Sequence, residues 1–280
     1  MSLVKTIRTV LAAMLLLLGT LVRADVLVLV HGWASAPDTW WVSGVMPVLS
    51  ARGWQDAGVV SAGPPGIAYF PLPGERAGNK IYRVGLSAEA PLLIQTAQLL
   101  AELDFIRRRH PDEPLYLAGH SAGGLVARLA LVSGRAPAVR KLITIATPNL
   151  GTGRALQGLD VVDSKPFFCP GPGIDFLKSV IGGDDYRYVR DSRGALVDMV
   201  PAAPGSLLGW LNSQPHPAIE YHAVIHEGPG YAGDWVAPAG AQDLNQVPVL
   251  RGRAAVHPLL APHTLMPADG TVLADILGGQ

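Results

Sequence analysis

Leu115-Tyr116-Leu117-Ala118-Gly119-His120-Ser121-Ala122-Gly123-Gly124-Leu125-Val126-Ala127-Arg128 passes from a short apolar run, through a glycine-flanked serine, into a second apolar run. Leu115 to Ala118 reads as a buried strand, and Leu125 to Val132 as a helix closed by Gly134. The pattern Gly-x-Ser-x-Gly carries little information alone, because it arises by chance. Its setting gives it meaning: a strand that turns abruptly into a helix presents the serine at the top of a tight, strained turn. Glycines are needed at 119 and 123 because side chains there would strike backbone as the turn closes. Ser121 is therefore a candidate nucleophile, and the competing reading is a structural turn with an inert serine. The turn also places the Ala122 amide at a helix N-terminus, where negative charge is favoured.

Upstream, Val26-Leu27-Val28-Leu29-Val30 is a continuous apolar run of the kind found in buried parallel strands. It ends at His31-Gly32-Trp33. The backbone amide of Trp33 is the candidate second donor to an oxyanion, and His31, Gly32 and His120 are candidates to border a substrate. Asp38 to Arg52 reads as a helix ended by Gly53, Asp56 to Ser61 as a short strand, and Gly63 to Gly78 as a Gly/Pro-rich loop. Ala88 to His110 is the clearest helix, with Leu92, Leu99, Leu103 and Ile106 at helical spacing; Arg107-Arg108-Arg109 suit its C-terminus and Pro111 stops it. Leu142 to Ala146, Tyr221 to Ile225 and Val247 to Val256 read as strands, and Thr271 to Leu277 as the last helix. Strands alternating with helices predict an α/β fold with a mostly parallel sheet covered on both faces. Residues 149–217, rich in Gly and Pro and without a strong strand, read as a lid- or cap-like insertion.

With 280 residues, 49% of them hydrophobic and 16% charged, the chain can bury one sizeable core. No repeat or linker divides it, so residues 25–280 read as one domain. The formal net charge is zero and no sustained basic face appears, which argues against nucleic-acid binding. Lys5 and Arg8, the apolar run Val10 to Leu18 and the small residues around Val22-Arg23-Ala24 have the form of a cleaved signal peptide over residues 1–24. That predicts a secreted or periplasmic protein. An uncleaved anchor is the alternative, although the run is short for a bilayer span. Cys169 is the sole cysteine, so no intramolecular disulfide forms. Its Phe-Phe-Cys-Pro setting lacks the neighbours that favour a thiolate.

Three runs resemble the α/β-hydrolase family, and within it the bacterial lipases and related esterases. They are Val28-Leu29-Val30-His31-Gly32-Trp33, Gly119-His120-Ser121-Ala122-Gly123-Gly124 and Ala146-Thr147-Pro148-Asn149-Leu150-Gly151-Thr152. The third is similar to the Thr-Pro-His-x-Gly-Thr stretch of those lipases, with Asn149 in place of His. The resemblance implies a catalytic triad in the order Ser, Asp or Glu, His. His31, His110 and His120 are excluded by that order. His222 and His226 lie in or at the end of a strand, too early to follow the acid, and His216 sits among prolines. His263, in a loop between the last strand and the last helix, is the implied base, with His257 as alternative. Asp234-Trp235-Val236-Ala237-Pro238 resembles the Asp-x-Val-Val-Pro stretch that carries the acid, with Glu227 as alternative. Asp198 and Asp243 are weaker candidates, and Asp269 reads as a helix N-terminal residue.

The implied function is hydrolysis of carboxylic esters, either small molecules or lipids. Trp33, Trp40, Trp41, Phe167, Phe168, Ile174, Phe176 and Leu177 are available for an acyl pocket, a lid or lipid-interface contact. No cofactor or metal is implied. Some of these lipases bind calcium through acids near the His loop, and His263-Thr264-Leu265 lacks that acid. A thioesterase or amidase with the same triad, or a non-catalytic binding protein on the same scaffold, are the alternatives.

Overall fold

The computed structural model describes residues 24–74, 77–136, 138–163, 184–228 and 233–278. Residues 1–23 of the signal-like segment, together with Phe167, Phe168, Cys169, Ile174, Phe176 and Leu177, lie outside the described residues.

The chain runs through β1 (Val26–Val30), two short helices α1 (Thr39–Val42) and α2 (Val45–Ala51), then β2 (Gln55–Gly63), β3 (Gly66–Pro71) and β4 (Lys80–Gly85). It continues with α3 (Leu92–Arg109), β5 (Leu115–His120), α4 (Ala122–Val132) and β6 (Val139–Ile145). Among the described residues, four helices follow: α5 (Gly153–Asp163), α6 (Asp184–Asp191), α7 (Arg193–Asp198) and α8 (Leu207–Ser213). The last elements are β7 (Glu220–Glu227), α9 (Ala239–Gln242), β8 (Ala254–Leu260) and α10 (Pro267–Gly278). Eight strands form one sheet in the order β3-β2-β4-β1-β5-β6-β7-β8. Every neighbouring pair is parallel except the β2–β3 hairpin. This is the predicted α/β architecture.

The centre of the sheet explains the unbroken apolar run of β1. Val26, Val28 and Val30 join one core with Leu99 and Leu103 of α3 and Leu125 and Leu129 of α4. Leu27 and Leu29 join the other with Trp40, Met46, Leu49 and Leu273. A strand covered on both faces has no polar side to present, so both alternating sets are apolar. Truncating one of these leucines to Ala costs about 2–5 kcal/mol.

Four sequence expectations need correction. The helix read over Asp38 to Arg52 is two helices, because Gly44 adopts φ +82° between them. The loop read from Gly63 to Gly78 contains β3, which pairs Val59 with Phe70. The long helix begins at Leu92, after Pro91, and not at Ala88. The last strand begins at Ala254, because Pro248–Leu250 forms a 3-10 turn. Between Asn149 and Pro217 the described residues contain helices and no strand.

Parallel strands β1, β5, β6, β7 and β8 all end at the same edge of the sheet. That edge is where ligands meet open α/β sheets. His31, Ser121 and His226 stand at or just beyond the strand ends there.

Candidate active site

Ser121 links β5 to α4 with φ +51° and ψ −127°. A non-glycine residue in such a region costs on the order of 1–3 kcal/mol and persists only where its surroundings hold it. Here the Ser121 N–H donates to the Ile145 carbonyl at 2.9 Å, and the Ser121 carbonyl accepts from Gly124 N–H at 3.1 Å. The flanking glycines are forced by close approach. A Cβ at Gly119 would lie 2.6 Å from the Gly124 Cα, and one at Gly123 would lie 2.4 Å from the His31 carbonyl oxygen.

The three residues expected to act together meet. His263 Nε2 lies 2.9 Å from Ser121 Oγ, and His263 Nδ1 lies 2.7 Å from Asp234 Oδ2. The other carboxylate oxygen, Oδ1, accepts from the backbone N–H groups of Val236 and Ala237 at 2.7 Å each. Burial pushes the Asp234 carboxyl up, but the His263 imidazole and the two backbone N–H groups outweigh it and hold its pKa below the ordinary value. An ionised Asp234 accepts Nδ1–H and leaves the Nε2 lone pair facing Ser121.

Asp198, Asp243 and His257 are engaged elsewhere. Asp198 Oδ2 accepts from Leu92 N–H and Asp243 Oδ1 from Asn245 N–H, each at 2.8 Å. Glu227 ends β7. His257 lies within β8, its Nε2 3.1 Å from His222 Nδ1.

The amides of Trp33 and Ala122 make no hydrogen bond among the described residues. Tyr188 of α6 braces the loop after β1: its hydroxyl accepts from Ala34 N–H at 3.1 Å and its ring tilts against Trp33 at 5.6 Å. His120 lines the cavity, and its Nε2 donates to the His263 carbonyl at 2.8 Å. Burial first, then the charge of His263, pushes its pKa down to about 3, so the ring is neutral.

His31 and Gly32 do not border the cavity, contrary to expectation. His31 is buried, its Nε2 accepts from Leu86 N–H at 3.1 Å, and its Nδ1 lies 3.0 Å from the Gly32 carbonyl. A Cβ at Gly32 would lie 2.9 Å from Ser121 Cβ, so this residue packs beneath the serine.

A cavity of about 1030 Å³ opens on Ser121 and His263. Ala155, Val189 and Leu196 from helices α5 to α7, with Met199 just past α7, supply much of its apolar wall, and Ser35 and Thr39 supply hydroxyls. Trp33 joins the wall. Trp40 instead fills the core beneath β1, and Trp41 Nε1 donates to Asp56 Oδ2 at 2.7 Å outside it. Among the described residues, no group of three or more His, Cys, Asp or Glu side chains is arranged to hold a metal.

Three further residues organise the site: Gln242, which carried no local signal, and Thr152 and Asn149 of the lipase-like run, whose roles that run did not reveal. Gln242 Nε2 reaches both Asp234 Oδ2 at 3.3 Å and the Ala237 carbonyl at 2.9 Å. Thr152 Oγ1 donates to the Val236 carbonyl, securing the same loop from the start of the insertion. Asn149, where the lipase pattern has His, donates from Nδ2 to the Gln242 carbonyl at 2.7 Å and accepts at Oδ1 from the buried Arg128 at 3.3 Å. It ties the helix after Ser121 to the segment that supports Asp234.

Residues 25–165 match the family model described as alpha/beta hydrolase fold. No curated protein matches the sequence. Solved structures are similar over most of the chain. A Bacillus licheniformis lipase, BlEst2, in its mature form has a TM-score of 0.61 at 14% identity, covering 92% of each chain. The product of gene lin2722 from Listeria innocua has a TM-score of 0.60 at 16% identity, covering 91% of this chain and 94% of that one. A metagenomic carboxyl esterase, MGS0156, has a TM-score of 0.51 at 14% identity, covering 92% of this chain and 76% of that one. At such identities the likeness is one of fold. Strand order, the strained serine turn and the match over residues 25–165 agree, and the chain belongs to the α/β-hydrolase-fold family.

Proposed function

We propose that the protein is an exported serine hydrolase that cleaves carboxylic esters. The observation that carries this reading is the hydrogen-bonded chain from Asp234 through His263 to Ser121, ending in a largely apolar cavity. The Ser121 Oγ attacks the ester carbonyl while His263 Nε2 takes its proton. The amides of Trp33 and Ala122, unpaired among the described residues, hold the oxyanion. Collapse of the tetrahedral species expels the alcohol, which leaves with the proton from His263. Water, activated by the same imidazole, then attacks the acyl-enzyme, and the carboxylic acid departs as Ser121 recovers its proton. Asp234 orients the imidazole and stabilises its charged form. Helices α5 to α7 give the acyl chain apolar surroundings and act as the cap over the site. The basic-then-apolar N-terminus supports export through a cleaved signal.

A chain-length series of p-nitrophenyl esters, run beside labelling with a fluorophosphonate, tests the reading. Ester turnover is expected together with covalent labelling of Ser121, both lost in Ser121→Ala. Labelling without turnover of any ester would redirect the substrate to thioesters or amides. Absence of labelling would remove the nucleophile.

A further inference from the structure

The loop carrying His263 is fastened by a second imidazole–carboxylate pair that the chemistry above does not use. His226, at the end of β7, and Asp269, in the first turn of α10, have fully buried side chains, with Nε2 2.7 Å from Oδ1. His226 Nδ1 lies 2.6 Å from the carbonyl of Pro262, the residue before His263. Asp269 Oδ2 accepts from Met266 N–H at 2.8 Å, the reciprocal half of a capping box at the start of α10. With His120 on the His263 carbonyl, the backbone is held at 262, 263 and 266 by three buried side chains.

The protons of this pair follow from its partners. A carbonyl only accepts, so His226 Nδ1 carries hydrogen. A backbone N–H only donates, so Asp269 Oδ2 accepts, and one proton is shared between Nε2 and Oδ1. Burial alone would lower the His226 pKa, but Asp269, the Pro262 carbonyl and the charge of Asp234 raise it above the ordinary value, which favours imidazolium beside carboxylate. Gln242 connects the pair to the acid loop: its Oε1 accepts from His226 N–H at 2.8 Å, and its Nε2 reaches the His226 carbonyl at 3.1 Å and Asp234 Oδ2 at 3.3 Å.

We propose that His226 and Asp269 are positioning residues that hold the His263 imidazole against Ser121, so that losing either slows the chemical step without weakening substrate binding. The proposal rests on the serine-hydrolase reading above. Neither residue lines the cavity, so neither has a direct route to the bound substrate. A displacement of about 1 Å in a reacting group can cost on the order of 10²-fold in rate.

His226→Ala and Asp269→Ala should each lower kcat on the order of 10²-fold with KM within about twofold of wild type. Asp269→Asn should retain most of kcat. Its amide oxygen still accepts from Met266, and its NH2 donates to the Nε2 of a neutral His226 whose Nδ1–H stays on Pro262. A folded His226→Ala with wild-type kcat, or one in which KM rises and kcat holds, overturns the proposal. Should His226→Ala not fold, the two Asp269 variants decide, and equal kcat in both overturns it. If wild type turns over no ester, the rate of fluorophosphonate labelling at Ser121 reads the same loop. Slower labelling in Asp269→Ala, restored in Asp269→Asn, upholds the pair; equal rates overturn it, whatever the substrate proves to be.

Discussion

Two imidazole–carboxylate pairs stand at the same edge of the sheet, and they differ in what the second ring nitrogen meets. His263 gives Nδ1 to Asp234 and turns Nε2 to the Ser121 hydroxyl, with 18% of its side chain exposed toward the cavity. His226 gives Nε2 to Asp269 and Nδ1 to the Pro262 carbonyl, with no exposure. A hydroxyl can surrender a proton to the ring, whereas a carbonyl has none to give. Under the proposed chemistry, the same two residue types serve proton transfer in one place and fasten a loop in the other.

The largest expected effects come from breaking the first pair. Ser121→Ala and His263→Ala should each reduce kcat by on the order of 10⁴–10⁶ in steady-state ester hydrolysis. Asp234→Asn should cost on the order of 10⁴ for a more specific reason. Oδ1 must keep accepting from Val236 and Ala237, so the new NH2 faces His263 Nδ1. The ring then carries its hydrogen on Nε2 and cannot take one from Ser121. A loss smaller than tenfold in Asp234→Asn would show that the orientation of His263 depends on its loop alone.

The two pairs should also fail at opposite ends of the pH scale. Asp234 has a lowered pKa in the fold, so its contribution to stability is present above the unfolded value of about 3.9 and disappears as pH falls through the folded value. His226 has a raised pKa, so its contribution is present below about 6.5 and disappears as pH rises through the folded value. Thermal melts across pH should show the gap in Tm between wild type and Asp234→Asn closing on the acid side. The gap between wild type and Asp269→Asn should close on the alkaline side. A gap for Asp269→Asn that widens with rising pH would mean that the pair is neutral and its proton sits on the carboxyl.

How much of this could be read from the chain depended on whether the signal was local. β1 and the turn at Ser121 were legible because both faces of the strand are covered and Gly119 is forced by its near neighbour Gly124, although Gly123 is forced from afar by Val30 and His31 at the end of β1. Asp234 and His263 could be found by chain order within a resemblance, since each follows a strand at the active edge. β4 escaped because Lys80 and Arg83 break its apolar pattern. Both are buried, with Lys80 Nζ donating to Gln55 Oε1 at 3.2 Å and Arg83 bridging Asp38 at 2.8 Å and Asp56 at 3.1 Å. His31 and Gly32, expected to border the substrate, instead accept from Leu86 N–H and pack beneath Ser121 respectively, because adjacency in a motif does not say which way a residue faces. The second pair is the instructive miss. Each member had a sound local reading, a strand-end histidine and a helix-start aspartate, and only the fold closes the separation of 43 positions.

A third imidazole contact supplies the reference point for the other two. His257 is closer to His263 in sequence than any other histidine, and its ring stacks on that of His222 at 5.4 Å. Its environment is set by β7 and β8 and by Glu220, which lies 3.7 Å from His222 Nε2 and 3.1 Å from Lys141 Nζ. None of the hydrogen bonds that hold residues 262, 263 and 266 passes through it. His257→Ala should therefore leave kcat/KM within about twofold and cost only about 0.5–1.5 kcal/mol of stability, the worth of the part-buried hydrogen bond to His222 that it removes. Steady-state kinetics and a denaturant titration check both. A tenfold loss would mean that β8 itself sets the position of the base, and the contrast between fastener and bystander would have to be drawn by strand rather than by hydrogen bond.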